Sequence, residues 1–177
     1  KYTSGLLKAQ LLAVKTGGLP DTSKGEATFT SQWSRIEAKA AGWCPSTGDQ
    51  DAVQGVLDAS SQAVAETLSA AGPCESTKLK ASAKYTSCLS KAQSLAVKTS
   101  GSPDTSGCEA KFASDWSLIE TKGAGQCPSD QSAVQDILDA SSQSVAAKLS
   151  GGASGPYQQC GDGTVANLTT GLVWQQT

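Results

Sequence analysis

The chain has 177 residues, with 14 Lys and Arg against 16 Asp and Glu, six Cys, and neither His nor Met. That length builds one ordinary domain or two small ones, neither with a large core; a net charge of -2 with singly scattered basic residues sets nucleic acid aside as a partner. Without His the usual proton shuttle, neutral metal ligand and Ser-His or Cys-His pairs are gone, so most enzyme classes are poor fits, and no apolar run nears the roughly 20 residues that cross a bilayer.

The first residue is Lys1 rather than Met, which leads us to expect a mature or trimmed product whose export signal, if there was one, has been removed. Residues 1–46 align without a gap on 84–129, with 32 of 46 positions identical, and after a two-residue deletion Val53-Gln54 resumes on Val134-Gln135. Such self-similarity is the mark of a repeated structural unit. The expected architecture is mainly α: two tandem duplicated three-helix units, 1–72 and 73–150, followed by a tail at 151–177.

In each copy the first helix carries one apolar stripe, Tyr2, Leu6, Ala9 and Ala13, repeated as Tyr85, Leu89, Ala92 and Ala96. It should stop at Gly18 and Pro20, or at Gly101 and Pro103. The second helix opens with a capping-box pattern, Ser23 with Glu26 and Ser106 with Glu109, and turns Phe29, Trp33 and Ile36, or Phe112, Trp116 and Ile119, inward. The third runs from about Asp51 to Leu68 on Val53, Val56, Leu57, Val64 and Leu68, matched by Val134, Ile137, Leu138, Val145 and Leu149. Short connections favour antiparallel neighbours. In the second copy the first helix should begin near Ser76, because STKLKASA contains no breaker. Lys1 then falls inside an expected helix, as in a unit that has been processed, cut from a longer chain or completed by something else.

Six cysteines in a small, weakly charged chain suit an oxidising compartment. Cys88 and Cys108 both align on glycines, Gly5 and Gly25, so the two are expected to pair, although Cys88 stands about ten residues before the turn. Antiparallel first and second helices put Cys74 beside Cys127. The rival pair Cys44–Cys74 would have to span a third helix of about 27 Å at 1.5 Å per residue. Cys44 and Cys160 remain. Cys160 follows Gly155-Pro156 as Cys74 follows Gly72-Pro73, so Cys160 of one molecule can serve Cys44 of the next; a bond within one chain, or free thiols, are the alternatives. Head-to-tail contacts that do not close build filaments. No CxxC spacing and no His argue against a metal, and no cofactor is expected. Asp49-Gln50-Asp51 lacks the glycine and terminal glutamate of an EF-hand loop and reads as a helix start. An unpaired Cys108 at a helix N-terminus would be reactive, but with a partner it is structural.

Leu7, Leu11 and Leu19 face Ser90, Ser94 and Ser102 across the alignment, and Trp43 faces Gln126. An apolar strip carried by one copy alone marks a contact, either between molecules or between the two copies. In the tail, GDGTVANLTTGLVWQQT reads as a short β-hairpin turning at Leu168-Thr169-Thr170-Gly171, or as one extended strand laid on a neighbouring subunit through Val165, Leu172 and Trp174. Asn167-Leu168-Thr169 matches a glycosylation sequon.

Gly161-Asp162-Gly163-Thr164-Val165 followed by Thr170-Gly171-Leu172-Val173-Trp174 resembles the opening of the Lcl C-terminal-like domain of secreted and surface proteins of bacteria, typified by a collagen-like adhesin. The upstream Cys-bearing helical repeats look like those that precede this module in some bacterial exported proteins. The resemblance covers residues 161–175 and implies an extracellular setting; it reaches only the opening of such a domain, so the adhesive activity is not carried over.

The expected function is that of a structural subunit of an extracellular assembly, a disulfide-stabilised filament or surface fibre. Its partner would be itself, head to tail, with a cell surface or matrix as a further one. The first alternative is a monomeric surface module that binds a glycan or protein, with Trp33, Trp43, Trp116 and Trp174 as stacking candidates. A hydrolase using Glu26 and Glu37 ranks last, since both have capping or surface explanations. No catalytic residue is assigned.

Overall fold

The computed structural model describes residues 2–16, 18–39, 49–69, 72–99, 101–123, 126–127 and 130–149, together with the backbone of 157–159, 164–167 and 173–175. The chain is mainly helical: α1 (Tyr2–Thr16), α2 (Ser23–Lys39), α3 (Asp49–Leu68), a 3-10 turn at Gly72–Cys74, α4 (Glu75–Thr99), α5 (Ser106–Lys122) and α6 (Gln131–Leu149). Gly72 takes a positive φ of 54°, which a residue with a Cβ adopts at a cost. It lies immediately before Pro73, where the chain turns into α4.

Helix-forming propensity is modest in so Ser- and Thr-rich a sequence, yet many of the hydroxyls are satisfied within the helices, the buried Ser61 Oγ being an exception. Thr28, Ser34, Thr67, Thr86 and Thr121 each donate to the carbonyl one turn back, at 2.7 to 3.0 Å. Helix ends also match the alignment. Gly18 N–H donates to Ala13 O at 3.2 Å and Gly101 N–H to Ala96 O at 3.0 Å, closing α1 and α4 at equivalent places. The third helix starts at Asp49, two residues ahead of the expected start, so Asp49 and Asp51 lie in its first turn.

The N-terminal signals of α2 and α5 work differently from the expected capping box. Ser23 and Ser106 are already helical; the side chain ahead of each, Thr22 or Thr105, donates to the carboxylate of Glu26 or Glu109. The serines instead donate both amide and hydroxyl to Asp21 or Asp104, at 2.6 to 3.1 Å. Those bonds hold the Asp21 and Asp104 carboxyls below the usual carboxylate range.

A single core draws on both copies: Leu7, Val64 and Leu68 from the first join Leu79, Tyr85, Leu89, Phe112, Trp116, Val134 and Leu138 from the second. α1 lies on α4 and α3 on α6, while α4 also packs on α5. The expected stripes hold for Tyr2, Leu6 and Ala13 and for Tyr85, Leu89 and Ala96, all buried. Two positions depart from the expected faces. Ile36 is 64% exposed and Leu149 49% exposed; among the described residues no element closes over them.

The three C-terminal segments form antiparallel strands β1 (Tyr157–Gln159), β2 (Thr164–Asn167) and β3 (Val173–Gln175), with Val165 opposite Trp174. The turn expected at residues 168–171 lies outside the described residues. So do all side chains of the tail.

Candidate functional site

The cysteines converge at two points of the second copy. Cys88, more than three turns into α4, is bonded to Cys108 in the first turn of α5, with Cα atoms 5.7 Å apart. Cys74, at the end of the 3-10 turn, is bonded to Cys127 beyond α5, again with Cα atoms 5.7 Å apart. The antiparallel course of α4 and α5 brings both pairs together, one near each end of the shared length. Gly123 lies against the second bond: a Cβ there would overlap Cys127 Sγ and stand 2.9 Å from Cys74 Sγ. Cys44 and Cys160 lie outside the described residues.

Around the Cys74–Cys127 bond is an ionic cluster that the sequence did not announce. Lys78, in the first turn of α4, is fully buried. Its ammonium pairs with Asp130, lies 3.8 Å from Glu120 Oε1, and sits 4.8 Å from the ring centroid of Trp116. Trp116 Nε1 in turn donates to Glu120 Oε1 at 3.1 Å. A buried ammonium is tolerable only when paired and hydrogen-bonded, and here two carboxylates and an aromatic face surround it. Hydrophobic periodicity assigns a lysine to solvent; the signal that would have located Lys78 is the acid at 120 and 130 flanking a tryptophan.

A second polar feature recurs in both copies. Tyr2 donates to Asp58 and Tyr85 to Asp139, each at 2.7 Å, tying the first helix of a copy to its third. Burial first, and then the facing carboxylate, push both phenols above their ordinary range. The signal was present in the alignment, where both members of each pair are retained. Each tyrosine also begins an aromatic row, Tyr2–Phe29–Trp33 with centroids 4.5 and 5.4 Å apart and Tyr85–Phe112–Trp116 with centroids 4.6 and 5.0 Å apart.

The residues expected at an assembly interface divide. Leu7 is 1% exposed and belongs to the core, so it is withdrawn from any contact between molecules; α4 packed on α1 is what covers that side of the helix. Leu11 is partly buried against the same core. Leu19, in the turn after α1, is 94% exposed. Trp43 and the side chains of Val165, Asn167, Leu172 and Trp174 lie outside the described residues. The paired-carboxylate candidates are each engaged, Glu26 with Thr22 and Glu37 with the indole N–H of Trp33 at 2.7 Å.

Among the described residues no three His, Cys, Asp or Glu side chains gather as a metal set would, and no helix is long and apolar enough to cross a membrane. Two disulfides fit an oxidising compartment. Comparison with protein-family models, with curated proteins and with solved structures finds no match.

Proposed function

We propose that the chain is a structural subunit of an extracellular, disulfide-stabilised assembly that grows head to tail. The observation that supports this most is the pairing of Cys74 with Cys127, which joins the cysteine at the start of a unit to the one after its second helix. Cys44 holds the Cys127 position in the first copy and Cys160 the Cys74 position of a would-be third. The same rule applied between molecules bonds Cys160 of one to Cys44 of the next. The two copies are tandem repeats of one unit, and the tail is a β segment that docks on a neighbouring subunit. The fully exposed Leu19 and the tail residues Val165, Leu172 and Trp174 are the apolar part of the contact.

Such a joint needs an oxidising medium, so the assembly belongs outside the cell, in keeping with the resemblance of the tail to a module of bacterial surface proteins. The test is electrophoresis of the oxidised chain with and without reductant, beside negative-stain microscopy. A ladder that collapses on reduction, together with fibres lost in Cys160→Ser, is the expected result. A single monomeric band whose peptide map shows Cys44 bonded to Cys160 of the same molecule would favour the other reading, a solitary surface module that binds a glycan or protein.

A further inference from the structure

Lys78, Glu120 and Asp130 come from three separate places, the first turn of α4, the last turn of α5 and the residue before α6, and they meet out of water. Lys78 and Trp116 have no exposed surface, and the Asp130 side chain keeps only 12% of its own. Lys78 Nζ touches Asp130 Oδ1, while Asp130 Oδ2 is buried and accepts no hydrogen bond among the described residues. A permanent ion pair would leave the desolvation of that second oxygen uncompensated.

The geometry points to a covalent crosslink: an amide bond between Lys78 Nζ and Asp130 Cγ, which the chain forms within itself by losing one water. The step balances inside the pair. A proton passing from the ammonium to the carboxylate gives an amine and a carboxylic acid, neither with a charge to desolvate. The nitrogen lone pair then adds to Cγ, the C–N bond forms, and the C–O bond to the protonated oxygen breaks. The nitrogen sheds one further proton to the leaving hydroxyl, which departs as water. Glu120 Oε1, 3.8 Å from the nitrogen, is placed to carry that proton, and the indole N–H of Trp116 holds it there at 3.1 Å. No oxidant or other reactant is required. Held contact replaces chance collision of amine and acid, and the product exchanges two buried charges for one neutral amide. Cys74–Cys127 joins the same two segments a few residues away, so in the oxidised chain the amide closes almost no new loop. Its effect comes after reduction, when it alone keeps the segments together. Until it forms, the ion pair and the disulfide hold them. The crosslink goes beyond the sulfur-linked assembly and does not depend on it.

The test is mass spectrometry of the full chain after reduction, alkylation and denaturation. The wild-type chain is expected to be lighter than its sequence by one water, and its tryptic digest to hold a branched peptide, uncut after Lys78, that joins Lys78 to Asp130. Lys78→Arg keeps a cation but should retain its full mass. It should also run behind the wild type on a reducing, denaturing gel, where the wild type keeps a closed loop between residues 52 apart. Asp130→Asn should lose ammonia in place of water and arrive at the same amide, hence at the wild-type mass. Glu120→Gln should slow the reaction about a hundredfold or more, with the disulfide map unchanged to show that the chain still folds. A wild-type chain of full sequence mass overturns the crosslink. So does a water loss that maps elsewhere, such as to a succinimide at Asp162-Gly163. A bond that forms as readily in Glu120→Gln supports the linkage and overturns the part given to Glu120.

Discussion

Tyr85 donates its phenolic hydrogen to Asp139 across α4 and α6 at 2.7 Å. The neutral phenol is the form that fits, since burial and the carboxylate both oppose its ionisation and raise its folded pKa. Tyr2 stands in the same relation to Asp58. The unfolded chain releases these protons near pH 10, below the folded value, so the linked stability is complete below about pH 10 and is lost as pH rises above it. Resistance to denaturant should therefore fall steeply above about pH 10, and Tyr85→Phe should blunt that slope. At neutral pH Tyr85→Phe should cost about 1 to 3 kcal/mol, because Asp139 loses its donor.

Removing the charge of Lys78 should be more damaging. Lys78→Ala leaves Asp130 and Glu120 facing a dry indole with no cation between them. Breaking a buried pair from one side costs about 3 to 5 kcal/mol, to be read from urea midpoints. The double variant Lys78→Met with Asp130→Leu should recover most of that loss, since neither charge is then buried alone.

Gly123→Ala places a methyl group onto the sulfurs of Cys74 and Cys127. The backbone there is ordinary helical, φ -76°, so the glycine is required by the close approach of the sulfurs and not by its conformation. Thiol titration of the oxidised variant should reveal two reactive thiols at 74 and 127, while Cys88–Cys108 stays closed. In the chain-entropy description, opening the 53-residue separation forfeits about 4 kcal/mol.

Much of the helical arrangement was legible from period and breakers, because the two copies state the same pattern twice. The pairings Cys88–Cys108 and Cys74–Cys127 were legible for the same reason: two cysteines that replace two glycines together are coupled, and antiparallel helices bring the other two within reach. Burial was read less well. Periodicity puts Ile36 on a core-facing stripe, but only a covering neighbour makes a stripe a core, and Ile36 is 64% exposed. Conversely, Leu7 lies beside the stripe of its own unit and is buried by the other copy, a tertiary contact that the pattern within one helix does not encode. Lys78 was illegible because its environment is assembled from α4, α5 and the segment before α6.

Leu7 and Leu19 make a matched pair of tests, since both are serine in the second copy. Leu7→Ser should destabilise the chain by about 3 to 5 kcal/mol, the range of a core truncation. Leu19→Ser should change stability by no more than about 0.5 kcal/mol, while lowering the mass of sedimentable material if Leu19 contributes to the joint.

Among the described residues, both sulfur bonds lie within the second copy, and the wider of them spans 53 residues. A chain stretched between its two ends would consequently yield unevenly. Until it is reduced, Cys74–Cys127 withholds roughly 180 Å of backbone from extension. In a chain whose Lys78 and Asp130 have not joined, reductant in the surrounding medium would thus set how far the segment between residues 74 and 127 can be drawn out.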